Sequence, residues 1–188
     1  MTMRLLPEST GVLLIDWQER LAAAMESELH ARHLGNAVRL VRGAALFRLP
    51  VIATEQYPQG LGPTVGALRE ALALDGVAAP IVEKRDFSAW AVPGVRAQME
   101  ASGRRAWLVA GIEAHVCVYQ TVRDLVAAGH DVWLLKDAVV SRTRENWKVG
   151  AGLCEAAGAV VTSTEAALFD VCGRGEGEAF KALSRLVK

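Results

Sequence analysis

Short apolar runs alternate along this chain with longer stretches of helical spacing, and that alternation constrains the fold more than any other feature. Val12–Ile15 (VLLI) is a continuous apolar run of the kind expected in a strand buried on both faces. Val51–Thr54, Ile81–Lys84, Ala106–Ala110, Val132–Leu135 and Ala159–Val161 read as five further strands. Between Ala31 and Arg48, the apolar positions Leu34, Val38, Val41, Ala45 and Leu46 recur every three or four residues, which predicts a helix stopped by Pro50. Val65–Leu74, Pro93–Ser102, Val116–Ala128 and Glu145–Ala157 read as further helices, the third ended by Gly129 and the fourth by Gly158. Thr162 and Glu165 have capping-box spacing for a helix through Phe169. QYPQGLGP and GRGEGE read as loops, with a short helix after the second. Strands separated by helices predict an α/β fold: a three-layer, doubly wound sheet of about six mostly parallel strands with helices on both faces.

The 188 residues suit one compact domain over 1–188, and no internal repeat or boundary interrupts them. An apolar share of 52% supplies a full core and excludes disorder for the bulk of the chain. Lys and Arg number 21 and so do Asp and Glu, so nothing in the charge balance favours nucleic acid or an anionic membrane as partner. No apolar stretch approaches the roughly 20 residues a bilayer span needs. Cys117, Cys154 and Cys172 are odd in number and widely spaced, which predicts free thiols in a reducing cytoplasm rather than a disulfide framework.

In a doubly wound sheet, ligands bind beyond the carboxyl ends of the strands. Three reactive groups fall there: Asp16 after the first strand, Lys84 at the end of the third, and Cys117 after the fourth. Cys117 follows the loop GIEAHV and opens a helix, where unpaired amides and the helix dipole lower a thiol pKa. A carboxylate can take the thiol proton and an ammonium can hold the resulting charge, which makes a nucleophilic constellation. The bland alternatives are a buried small residue for Cys117, a turn residue for Asp16 and a solvated charge for Lys84. Cys154 and Cys172 have no base nearby and read as structural. His115 is two residues from Cys117 but need not face it, and His30 with His33 reads as a solvated helix face rather than a metal pair. Arg39, Arg42 and Arg48 read as the polar face of their helix. No dinucleotide or Walker fingerprint occurs, so no flavin or nucleotide cofactor is expected.

The segments LLIDWQERL, TEQYPQGLGPTV, EKRDFSAW and AGIEAHVCVYQTVRDLVAAGHDVWLLKDAVVSR, spanning Gly11 to Phe169, together resemble the isochorismatase-like cysteine hydrolase family. The resemblance is to the branch of isochorismatase-domain proteins of unassigned substrate. It implies a catalytic triad of Asp16, Lys84 and Cys117, and a cis peptide at Ile112–Glu113 that turns the Glu113 amide toward the Cys117 amide as an oxyanion hole. It also implies a homo-oligomer and a small-molecule substrate. The histidine cluster with which nicotinamidases of this superfamily hold a metal has no counterpart in TEQYPQGLGPTV, so no metal is expected. Isochorismate-cleaving members commonly lack the cysteine, so Cys117 favours cleavage of a small amide or related C–N bond over vinyl-ether hydrolysis. A binding or scaffold protein on the same fold is the alternative from another class. Trp17, Gln56, Tyr57, Phe87 and Trp90 lie in loops beside the triad and are candidate substrate contacts.

Overall fold

The computed structural model describes residues 4–73, 77 and 79–188. Strands β1 (Thr10–Ile15), β2 (Val51–Gln56), β3 (Ile81–Lys84), β4 (Ala106–Ile112), β5 (Asp131–Val140) and β6 (Val160–Thr162) form one sheet in the order β3-β2-β1-β4-β5-β6. Every pairing is parallel. Leu14 lies opposite Ala53 and Ala110, and Ile15 opposite Thr54 and Gly111. The order reverses between β1 and β4, where neighbouring strands diverge to helices on opposite faces and leave a crevice at their carboxyl ends.

Helices α1 (Glu19–Ala22), α2 (Ser27–Phe47), α3 (Pro58–Leu61), α4 (Gly66–Leu72), α5 (Pro93–Ser102), α6 (Tyr119–Ala127), α7 (Arg144–Ala156), α8 (Thr164–Cys172) and α9 (Gly177–Val187) complete the layers. Period-two alternation divides the strands between two cores. Val12, Leu14, Leu108, Ala110 and Ile112 face Leu40 and Val41 of α2, Leu68 of α4, Leu168 of α8 and Leu183 of α9. Leu13, Ile15, Trp107 and Val109 face Val95 and Met99 of α5, Val122 and Leu125 of α6, and Cys154 of α7. Both faces are therefore dry, which is why the central strands read as continuous apolar runs.

Several boundaries differ from the sequence pattern. The second helix begins at Ser27 rather than Ala31, and α3 forms a single turn inside the stretch read as loop. Strand β5 runs through Val140, with a register irregularity between Val109 and Gly111 on its neighbour β4. The cap of α8 is Ser163, whose hydroxyl accepts from the Ala166 amide at 3.2 Å, while Thr162 ends β6. The helix expected over Val65–Leu74 is α4, and position 74 lies outside the described residues. Among the described residues no helix is long and apolar enough to cross a membrane.

Candidate active site

Asp16 directly follows β1 with a positive φ of 52°, a conformation that an aspartate tolerates better than most residues. Its carboxylate is fully buried, with Oδ1 accepting a hydrogen bond from the Thr54 hydroxyl at 2.7 Å. Oδ2 lies 2.7 Å from the ammonium nitrogen of Lys84, whose side chain is also buried. The ammonium donates further to Oε1 of Gln56 at 2.7 Å and reaches the carbonyls of Phe87 at 3.0 Å and Asp86 at 3.1 Å. The Lys84 nitrogen thus sits in a cage of oxygens at the edge of a dry layer, where an unpaired polar group would be costly.

Cys117 follows β4 but does not open α6. It lies in a π-helical turn, Ala114–Val118, entered through the cis Ile112–Glu113 bond. Two glycines let this turn seat. A Cβ at Gly150 of α7 would stand 2.5 Å from the Ala114 carbonyl carbon and the His115 nitrogen, and one at Gly111 would stand 2.5 Å from the Ile15 carbonyl oxygen. The turn brings the Cys117 thiol to the Asp16–Lys84 pair, so that the thiol interacts with both side chains. Three residues distant in sequence therefore meet at the crevice beside β1 and β4.

The electrostatics reverse one expectation. Burial first, and the Asp16 charge second, push the Cys117 thiol up to about 12, against the opposing pull of Lys84. The helix-terminus effect that would lower it does not prevail, because the sulfur is inside the layer rather than at an exposed first turn. Asp16 is likewise raised above 3.8 by burial, with Lys84, Thr54 and Cys117 pulling the other way. The cluster sets a protonated thiol beside a buried carboxyl–amine contact.

Around it, Glu113 is clamped by Arg142. The carboxylate accepts from the Arg142 backbone N–H at 3.0 Å, from Nε at 3.1 Å and from Nη2 at 2.8 Å. Burial raises the Glu113 carboxyl, but the Arg142 hydrogen bonds and charge together outweigh it and hold the group below its usual range. Thr121, fully buried, donates to the Cys117 carbonyl at 2.7 Å and accepts from the Ala89 amide at 2.9 Å, tying the thiol's turn to the loop after β3.

The candidate substrate contacts separate. Trp17 is a correction: its side chain is 1% exposed and packs in the core with Val12 and Leu14, its ring 5.8 Å from that of His30. Regular alternation would place residue 17 with Leu13 and Ile15, and the positive φ at Asp16 inverts that parity. Gln56 is committed to Lys84. Trp90 is half-buried, edge-on to His130 at 5.0 Å. Tyr57 and Phe87 are exposed, at 44% and 53%, with the Arg85 guanidinium 4.1 Å above the Tyr57 ring. Nδ1 of His115 contacts the Ser141 hydroxyl at 3.0 Å, and Nδ1 of His33 lies 2.7 Å from the Val139 carbonyl oxygen. Among the described residues no group of three or more His, Cys, Asp or Glu is placed to hold a metal ion. Sequence reasoning missed Arg142 and Thr121, whose roles depend on contacts that no local spacing encodes.

Sheet order and the crevice at the carboxyl ends of β1 and β4 define a doubly wound α/β fold. The Isochorismatase domain model matches residues 10–166, and the chain belongs to the isochorismatase family. Over 190 aligned residues it is 33% identical to a secreted isochorismatase effector, Isc1, of Phytophthora sojae, covering 98% of this chain and 87% of that protein. It is 32% identical to isochorismatase domain-containing protein 2 of Bos taurus, covering 98% of this chain and 86% of the relative. The solved MAR1 ribonuclease of Caenorhabditis elegans superposes with a TM-score of 0.90 at 33% identity, covering 98% of this chain and 92% of that one.

Proposed function

We propose that this isochorismatase-family hydrolase cleaves a small amide or related C–N bond through a thioester, with Asp16, Lys84 and Cys117 as its triad. The observation that carries this reading is a thiol beside a buried 2.7 Å acid–amine pair. A thiol titrating at about 12 is protonated at neutral pH, so the thiolate forms only as its proton leaves for a neighbour. Asp16 is the acceptor within reach, and its raised pKa makes it a better base than an ordinary aspartate.

Sulfur attacks the carbonyl carbon as its proton passes to Asp16, and the C=O pair becomes an oxyanion. The amides of Glu113 and Cys117 receive that charge, with the Arg142 clamp fixing the peptide that carries the first of them. Collapse breaks the C–N bond, and Asp16 returns the proton to the leaving nitrogen. Water, deprotonated by Asp16, then attacks the thioester, and the proton finally rejoins sulfur. Lys84 stays positive throughout and balances whichever neighbour is charged. Tyr57 and Phe87 form the pocket wall on the solvent side.

Vinyl-ether hydrolysis has no use for this sulfur, and a scaffold has none for a thiol held against an acid and an amine. The ribonuclease name borne by the worm structure finds no echo in the balanced charge of 21 against 21. A single domain over 1–188, working as a homo-oligomer in the cytoplasm, completes the proposal. Val149 and Leu153, exposed one turn apart on α7, offer an apolar strip for self-association, and free Cys117, Cys154 and Cys172 suit a reducing compartment. The test is turnover across a panel of small amides by the native chain and by Cys117→Ala. Hydrolysis by the native chain alone is expected, and equal hydrolysis by both would overturn the reading.

A further inference from the structure

The oxygens around Lys84 are unequal in a way that assigns Gln56 a role. An ammonium has three protons. Its hydrogen bonds run to Gln56 Oε1 at 2.7 Å and to the Phe87 and Asp86 carbonyls at 3.0 and 3.1 Å, while Asp16 Oδ2 stands 2.7 Å away as the ion-pair partner. Of these groups only Asp16 carries a charge.

Gln56 is fixed at both ends. Its Nε2 donates to the Arg85 carbonyl at 2.8 Å, which obliges Oε1 to face the ammonium. Its backbone N–H donates to Gln18 Oε1 at 2.7 Å, and its carbonyl accepts from Gln18 Nε2 at 3.0 Å. The Gln18 side chain, fully buried, thus pairs with the end of β2 as a neighbouring peptide would, and also donates to the Gly62 carbonyl at 2.7 Å. Asp16 and Gln18 belong to one turn. That turn grips Lys84 twice, directly through Asp16 and through Gln18 by way of Gln56. Strand alternation meanwhile turns the adjacent acid, Glu55, away to the Thr64 amide and hydroxyl at 2.6 and 2.7 Å.

We propose that Gln56 is a positioning residue for Lys84, and that its neutrality matters: it holds the ammonium without drawing the positive charge away from Asp16 and Cys117. This rests on the triad reading above, but its test needs no substrate. A carboxylate of the same length would keep the hydrogen bond and add a negative charge beside the sulfur, which disfavours the thiolate.

Iodoacetamide labelling of Cys117 at pH 8, followed peptide by peptide by mass spectrometry, reads this out. Gln56→Glu is expected to slow labelling about 10-fold or more, the equivalent of one pKa unit. Cys172 in the same sample serves as the reagent control. Gln56→Met, which removes the acceptor but adds no charge, is expected to slow labelling by less. If Gln56→Glu does not fold, Gln56→Asp carries the same charge on a shorter arm and must slow labelling as well. Native-rate labelling in the folded acidic variant, or equal slowing by Gln56→Met, would overturn the proposal. Turnover surviving in Cys117→Ala would instead sink the hydrolase reading and leave the labelling result standing.

Discussion

Cys117 and Cys154 belong to the same core layer, both are buried, and both thiols are pushed up to about 12. For Cys154 burial is the whole cause. For Cys117 burial is joined by Asp16, and opposed by Lys84. Both thiols are pushed up by burial, and they differ in having a carboxylate and an ammonium beside them or not. Under the proposed mechanism, reactivity comes from where the thiol proton can go and not from a low resting pKa.

The sharpest way to break this comparison is to delete each sulfur in turn. Cys117→Ala is expected to lower turnover by on the order of 10⁴-fold or more. Cys154→Ala is expected to retain turnover and lose about 1 kcal/mol of stability to the small cavity it leaves, measured by urea unfolding. Asp16→Asn removes the proton acceptor and is expected to cost roughly 10²- to 10⁴-fold in kcat. In the native chain the acid limb of the kcat profile is expected above 3.8, because the base form of Asp16 is required and burial raises its pKa.

Lys84→Met leaves Asp16 buried without its counter-ion and is expected to destabilise the fold by about 3–5 kcal/mol. Combined with Asp16→Asn, the loss should be smaller than the sum of the single losses, as seen in a double-mutant cycle. The last expected effect is confined to alkaline pH. A thiol at about 12 in the fold and 9.0 when unfolded contributes stability that is complete below pH 9 and lost as pH rises toward 12. Denaturant melts from pH 8 to pH 11 should therefore show a shallower decline in Cys154→Ala than in the native chain.

Much of the architecture was legible in the sequence because both faces of the sheet are dry. VLLI and AWLVA announce β1 and β4, and the residue after each strand falls at the rim by construction. That logic singled out Asp16, Lys84 and Cys117, which the fold brings together, and the family resemblance supplied the roles proposed for them. Trp17, read as a loop residue beside the triad, is instead carried into the core by the positive φ at Asp16. The thiol's pKa escaped that logic too: a π-helical turn replaces the expected helix start and carries the sulfur inside. Gln56 was placed at the right rim, but its partner there is Lys84. Arg142 and Thr121 act across separations of 29 and 32 residues, to Glu113 and Ala89, and only the folded chain juxtaposes them.

Trapping the covalent intermediate tests the central claim most directly. The native protein, quenched in acid during turnover of an amide substrate and then digested, should carry the acyl mass on the peptide containing Cys117. The peptides containing Cys154 and Cys172 should carry none. An acyl group on another residue, or turnover with no acylated peptide at any quench time, would contradict the account.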